Sequence, residues 1–262
     1  MNHLDRLVGD ARRELEARRA GRPEAELEQA AHDARSQRLT EGDFLAAVRA
    51  PGLSLIAEHK RRSPSAGRIR EDLSLEEVVK AYERGGAAAL SILTDAPNFG
   101  GSLDDLAAAR GLTHLPLLRK DFIIERYQLL EAAAAGADAV LLIVAALSPD
   151  ELERLQGQAR ELGLTALVEV HDARELEVAL AAGSQVIGIN NRDLTTLEVD
   201  VRTTFRLLEL MDGQAAVVAE SGLRDRAQLD ELAAAGIDGV LIGESLMRAG
   251  DIEAATRALL ER

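Results

Sequence analysis

Leu53-Ser54-Leu55-Ile56-Ala57-Glu58-His59-Lys60-Arg61-Arg62-Ser63-Pro64-Ser65 is the stretch from which the fold can be read. Its first four residues make a short, mostly apolar run of the kind that forms a buried strand. Side chains alternate along a strand, so Glu58 and Lys60 face the same side. A carboxylate and an ammonium therefore look into one space at the strand's C-terminal end. Ser63 and Ser65 flank Pro64 just beyond, in a loop able to offer donors to an anion.

The same arrangement recurs along the chain. The run over 115–121 ends at Lys120, and the run over 165–170 ends at Glu169. Residues 185–192 end in Asn190, Asn191 and Arg192, residues 215–222 in Glu220-Ser221-Gly222, and residues 239–245 in Gly243-Glu244-Ser245. Counting all such runs gives eight strands, centred near Ile56, Leu90-Ser91-Ile92, Leu117, Val140-Leu141-Leu142, Ala166-Leu167-Val168, Ile187, Val217-Val218 and Leu241. Helical stretches separate them, so neighbouring strands run parallel with right-handed crossovers. An open doubly wound sheet would alternate in the same way, but it gathers its reactive groups at one switch point. Reactive residues at nearly every strand end predict instead a single (β/α)8 TIM barrel with its site on the C-terminal face.

Helix signals support the alternation. Ser74, Asp172 and Asp225 stand where N-caps belong, and Ser148-Pro149 adds a proline at a first helical position. Ala135-Gly136-Ala137, Ala182-Gly183-Ser184 and Ala235-Gly236-Ile237 read as copies of one helix stop on a left-handed glycine. Residues 1–48 differ from the rest. Leu4, Leu7, Val8, Leu15, Leu27, Phe44, Leu45 and Val48 are sparse apolar points among Arg, Glu and Ala. They predict an N-terminal helical extension with narrow apolar stripes, packed on a barrel that occupies 49–262.

Composition narrows the function. The 262 residues match the roughly 250 of one barrel. Aromatic residues are only 2%, so Leu, Val, Ile and Ala must fill the core. With no cysteine, a disulfide framework, a thiolate metal site and a thiol nucleophile are all excluded. A net charge of −14 opposes nucleic-acid binding. No apolar run is long enough to span a bilayer and the first residues carry no signal-type apolar region, which together suggest a cytoplasmic protein without membrane partners. An anionic substrate would need local cations, which Lys60, Arg61, Arg62, Lys120 and Arg192 could supply.

Five stretches, in this order and spacing, resemble the indole-3-glycerol-phosphate synthase family of tryptophan biosynthesis: 58–65 (EHKRRSPS), 118–123 (LRKDFI), 168–171 (VEVH), 188–194 (GINNRDL) and 219–222 (AESG). The resemblance covers essentially the whole chain. It implies conversion of 1-(2-carboxyphenylamino)-1-deoxyribulose 5-phosphate to indole-3-glycerol phosphate, with loss of CO2 and water, by acid–base chemistry without metal or organic cofactor. It implies Lys120 as a general acid, and Lys60 as a second acid and partner of the substrate carboxylate. Which lysine serves ring closure and which serves dehydration stays open. Glu58 would orient Lys60, although a plain strand-end salt bridge explains that spacing as well. Glu169 would be the final base, or a structural ion-pair partner. Asn190 and Arg192 would position the anthranilate carboxylate and ribulose hydroxyls. Glu220 and Ser221 would touch the sugar or buttress the lysines. Ser63, Gly222 and Gly243 would hold the phosphate through backbone N–H groups, with Glu244 turned away from it. Pro64, Phe99, Phe122, Leu141 and Leu197 would wall the anthranilate ring, and Leu4 or Leu7 could cover it. His59 and His171 are both expected to face away from the pocket.

Two other readings compete. Phosphoribosylanthranilate isomerase is also a phosphate-binding barrel, but its family's chemistry relies on a cysteine, which this chain lacks. A catalytically silent barrel that binds a phosphometabolite would have no need of two lysines and three glutamates at strand ends. The expected partner is one small phosphorylated molecule, and the sequence is silent on contacts with other pathway enzymes.

Overall fold

Eight short runs of Leu, Val, Ile and Ala pair edge to edge because their backbone groups, once buried, can be satisfied only by one another. In the computed structural model, which describes residues 3–37, 43–211 and 213–261, they are β1 (Ser54–His59), β2 (Ala89–Leu93), β3 (Leu117–Lys120), β4 (Ala139–Ile143), β5 (Thr165–Val170), β6 (Val186–Asn190), β7 (Ala216–Glu220) and β8 (Gly239–Ile242). Each pairs in parallel with its sequence neighbour, and β8 returns to β1 to close the barrel. The alternation does not foretell one element. Arg62–Ser63 and Gly67–Arg68 form a small antiparallel hairpin in the loop after β1.

The caps behave as their sequences suggest. Ser74 and Ser148 make full capping boxes at the helices Leu75–Arg84 and Pro149–Glu161. Asp172 and Asp225 accept the backbone N–H of Glu175 and Gln228. Gly136, Gly183 and Gly236 take positive φ just past their helices, a conformation that strains any other residue.

Strand alternation sorts the side chains into two cores. Val140, Leu142, Val168, Val170, Ile187 and Ile189 point out to the helices. Ile56, Leu118, Leu141, Leu167, Val218 and Leu241 point in and fill the barrel. Above that apolar filling, toward the strands' C-terminal ends, the inward positions become Glu58, Lys120, Glu169, Asn190 and Glu220. The floor is dry and the upper layer carries the ionisable groups.

The N-terminal helices α1 (His3–Gly21), α2 (Glu24–Gln37) and α3 (Phe44–Val48) wrap this body. Leu4, Leu7 and Ala11 of α1 join the barrel interior from the C-terminal mouth. Helix α2 packs on the helix Arg126–Ala134, where Arg126 pairs with Glu24 at 2.9 Å and Glu28 at 2.7 Å. Phe44 and Val48 of α3 are fully buried in the barrel's opposite mouth, where Ser54 Oγ donates to the Ala47 carbonyl at 2.7 Å. A buried charge chain ties α1 to β3. Arg18 Nε donates to Glu131 at 2.6 Å. Arg119, which has no exposed surface, donates to Glu131 at 3.2 Å, to Asp121 at 2.9 Å and to Thr94 at 3.1 Å.

Phe44 is thus the largest side chain of α3 in that mouth, with Val48 beside it. Phe44→Ala should lower stability by about 3–5 kcal/mol, the usual result of emptying a buried aromatic site. Urea unfolding would check this, and a loss below about 1 kcal/mol would show that the mouth closes without it.

Candidate active site

The upper polar layer opens into a cavity of about 470 Å³ at the C-terminal rim, a size suited to one small molecule. Sixteen residues singled out from the sequence line it: Glu58, Lys60, Ser63, Pro64, Phe99, Lys120, Phe122, Leu141, Glu169, Asn190, Arg192, Leu197, Glu220, Ser221, Gly222 and Gly243. The barrel brings residues 180 positions apart to one rim because every strand delivers its last inward side chain to the same end.

The charged groups contact one another directly. Lys60 Nζ donates to Glu58 Oε1 at 2.6 Å. Lys120 Nζ, from β3, lies between two carboxylates, donating to Glu169 Oε2 at 3.0 Å and to Glu220 Oε2 at 2.5 Å. Asn190 Nδ2 donates to Glu169 Oε1 at 3.1 Å, while its Oδ1 accepts the Arg192 N–H. Glu220 Oε1 is buried with no hydrogen-bond partner. Two glycines make room for these groups. A Cβ on Gly188 would lie 2.3 Å from Glu220 Oε1, and one on Gly243 would lie 2.6 Å from Glu58 Oε1.

Burial and neighbours set the protonation states. Burial disfavours the Lys120 cation, but Glu169, Glu220 and Glu58 outweigh it and hold its pKa above the usual lysine range. Burial alone would raise Glu169, yet Lys120 and His171 overcome it and hold that carboxyl well below its usual range. Glu220 goes the other way: burial, reinforced by Glu169 and Glu58 and only partly opposed by Lys120, pushes it up to about 7. Two carboxylates on one lysine thus differ in proton affinity.

Phe99, Phe122, Leu141, Leu197 and Pro64 give the cavity apolar lining, joined by Leu7 from α1, with His3 of the same helix beside it. Ser63, Gly222 and Gly243 line it too, together with Ser245, Arg224 and Arg248. Glu244, expected to turn away, lines the cavity as well and pairs with Arg248 at 3.1 Å. Ser221 and Gly222 both have positive φ, 64° and 80°, a strained turn that Asn191 Nδ2 secures by donating to the Ser221 carbonyl at 3.1 Å. Asn191 also accepts from Thr204, which accounts for a residue the motif reading left without a role. Arg192 Nη1 donates to the Leu197 carbonyl at 3.0 Å, tying down the loop it belongs to.

Two sequence expectations, those for Arg61 and Arg62, need correction. Arg61 and Arg62 do not reach the cavity. Arg61 pairs with Asp105 at 2.7 Å, and Arg62 donates to the Ala96 and Pro97 carbonyls, so both fasten the loop after β1 to the segment after β2. His171, like His59, does not line the cavity, but it keeps close to Glu169. Two positions along a strand share a face, and its Nε2 lies 3.3 Å from Glu169 Oε1. His59 does face elsewhere, where burial and then Arg61 push it down to about 4. Sequence reading passed over Arg224, Arg248, Asp95 and Asp121 on the rim. The first two follow the ends of β7 and β8, the positions where barrels commonly bind phosphate. Among the described residues, no group of three or more His, Asp or Glu side chains is arranged to hold a metal ion. No helix among them is long and apolar enough to cross a membrane.

Fold and site together define a (β/α)8-barrel enzyme whose ionisable groups suit acid–base chemistry on a small molecule. Barrels of solved structure share the fold at low identity. One is 3-hexulose-6-phosphate synthase from Salmonella typhimurium, with TM-score 0.64 and 15% identity over 79% of this chain and 96% of that one. Another is thiamine phosphate pyrophosphorylase from Pyrococcus furiosus, with TM-score 0.60 and 22% identity over 80% and 94%. Closer similarity comes from sequence. Residues 4–259 match the family model for indole-3-glycerol phosphate synthase. Indole-3-glycerol phosphate synthase 2 of Streptomyces coelicolor is 50% identical, covering 94% of this chain and 93% of that protein. The indole-3-glycerol phosphate synthase of Rhodopirellula baltica is 47% identical over 99% of each. The chain belongs to the indole-3-glycerol phosphate synthase family.

His171 offers a stability test. Burial lowers its proton affinity, but Glu169 and Glu175 outweigh that and raise its pKa from 6.5 to about 10. A raised folded pKa stabilises fully below the unfolded value, and the gain fades as pH climbs to the folded one. The difference in melting temperature between wild type and His171→Asn should therefore be greatest below pH 6.5 and shrink steadily toward pH 10. A gap independent of pH would show that the imidazolium is not what stabilises.

Proposed function

We propose that this chain converts 1-(2-carboxyphenylamino)-1-deoxyribulose 5-phosphate to indole-3-glycerol phosphate, releasing CO2 and water. Family membership supports the reaction. The observation that carries the assignment of roles is Lys120, an ammonium fixed between Glu169 and Glu220 at the cavity floor.

In this reading the substrate's aromatic ring rests on Phe99, Phe122, Leu141, Leu197 and Pro64. Its phosphate takes backbone N–H groups near Ser63, Gly222 and Gly243, and Arg192 and Asn190 fix the carboxylate and the sugar hydroxyls. The ring carbon bearing the carboxylate attacks the ribulose carbonyl, and Lys120 gives its proton to the oxygen that becomes a hydroxyl. The C–CO2 bond then breaks, and its electron pair restores the ring. The hydroxyl leaves as water with a second proton, for which Lys60 is the candidate. A carboxylate, Glu169 or its neighbour Glu220, takes the carbon-bound proton whose loss completes the indole. Ser221 serves by holding the turn beside the phosphate. Preorganised charges in a partly dry cavity need little rearrangement as charge moves. Residues 1–48 belong to the same catalytic unit as the barrel, because α1 supplies part of the cavity wall. The proposed partner is the phosphorylated substrate alone, and no step needs a cofactor.

Turnover is followed by indole fluorescence. A folded protein that gives no signal with this substrate would sink the assignment. Lys120→Ala should abolish turnover while substrate still binds, as calorimetry would show, and near-normal turnover would remove Lys120 as the acid. Gly188→Ala should displace the Glu220 carboxylate and lower kcat at least about tenfold, a barrier increase of about 1.4 kcal/mol. With Glu220 as the acceptor, which requires its ionised form, kcat/KM should fall below about pH 7, its raised value. A flat profile from pH 6 to pH 8 would exclude that requirement.

A further inference from the structure

Lys120 contacts both Glu169 and Glu220 and by itself does not distinguish them. Counting Glu58 and Lys60, three carboxylates face two ammoniums, which leaves one negative charge over. Such a group invites a proton onto one carboxylate. The structure contains an asymmetry that decides which one. His171 follows Glu169 on the same side of its strand. Its Nε2 stands 3.3 Å from Glu169 Oε1, an ion-pair separation without hydrogen-bond alignment. Its Nδ1 lies 2.9 Å from Glu175 Oε2, and the same carboxylate accepts the His171 backbone N–H at 2.8 Å. His171 does not line the cavity, so it cannot touch substrate.

We propose that His171 is a positioning residue: an imidazolium anchored by Glu175 that keeps Glu169 ionised beside Lys120 and leaves Glu220 as the carboxylate that exchanges protons. The inference rests on the function proposed above. Geometry supports the division of labour. Both oxygens of Glu169 have partners, Lys120 and Asn190, whereas Glu220 Oε1 has none. The groups facing Glu169 are Lys120 from β3, Asn190 from β6, Glu220 from β7 and His171 itself. Those facing His171 are Glu169, Glu175 on the helix Ala173–Ala181, and Asp193 in the loop after β6, whose carboxyl is lowered first by Thr195 and Thr196 and in small part by His171. The imidazolium thus has acidic neighbours on every side and no competing cation among them.

Removing the charge should raise the proton affinity of the whole carboxylate group. In His171→Asn the acid limb of kcat/KM should therefore move upward by roughly half a pH unit, an about threefold loss at a fixed pH on that limb. Glu175→Gln, which loosens the anchor but keeps the ring, should move it the same way by less. In the wild-type protein, nitrogen NMR of the His171 ring should show both nitrogens protonated at pH 8. A neutral ring at pH 8 would overturn the proposal. So would a His171→Asn variant that loses rate equally at all pH values with its limb unmoved, the outcome of a merely structural role. If wild type turns over no substrate, the functional reading fails, and the ring spectrum still decides whether the cation exists.

Discussion

A lysine ammonium with 13% of its side chain exposed, between two carboxylates that are almost wholly buried, is the constraint on which this molecule turns. Charges in such a place are tolerable only when each finds a partner, since an uncompensated buried ion is strongly destabilising. The barrel answers by geometry. Each strand presents one inward side chain to the rim, and the closed sheet holds β3, β5 and β7 at fixed spacing. Lys120, Glu169 and Glu220 then meet without any of them reaching far. The apolar filling beneath them keeps water from entering below and sharpens every interaction above.

The surrounding chain protects that arrangement. Arg119 precedes Lys120 and points the opposite way, into a fully buried contact with Asp121, Glu131 and Thr94. Through Glu131 the same contact reaches Arg18 of α1. The strand carrying the central lysine is therefore clamped on its outer side by an ion-pair chain that begins in the N-terminal extension. At the other mouth α3 closes the barrel with Phe44. The extension spans the barrel from end to end, so cavity wall, strand position and core closure all draw on it.

Strand ends were legible in sequence because alternation with a period of two has few alternatives once apolar runs and helix caps are located. Glu58 with Lys60, Lys120, Glu169 and Glu220 could be placed at one rim on that ground, and the family motifs pointed to Phe99, Phe122, Ser63, Gly222 and Gly243, which line the same cavity. What stayed hidden depended on directions that period does not fix. The 62–68 hairpin carries Arg61 and Arg62 away from the cavity to Asp105 and to backbone carbonyls. His171 stays off the cavity lining, but its contact with Glu169 from just past the strand's end depends on a side-chain direction that the expectation of facing away did not include. Asn191 acts through Ser221 and Thr204, partners that only the folded chain brings to it. Leu7 gave only a weak signal, since a sparse apolar stripe does not say which mouth it covers.

Gly188 lies inside β6 with no turn to make, Gly243 leads the chain from β8 into the helix Glu244–Met247, and neither has the positive φ that would by itself bar a larger residue. What forbids one is the carboxylate opposite, Glu220 in one case and Glu58 in the other. The two bare positions are casts of the charged groups they face. In a lineage that gave up this chemistry, they would be released along with Glu220 and Glu58, and alanine or serine there would mark the loss before the barrel itself had changed.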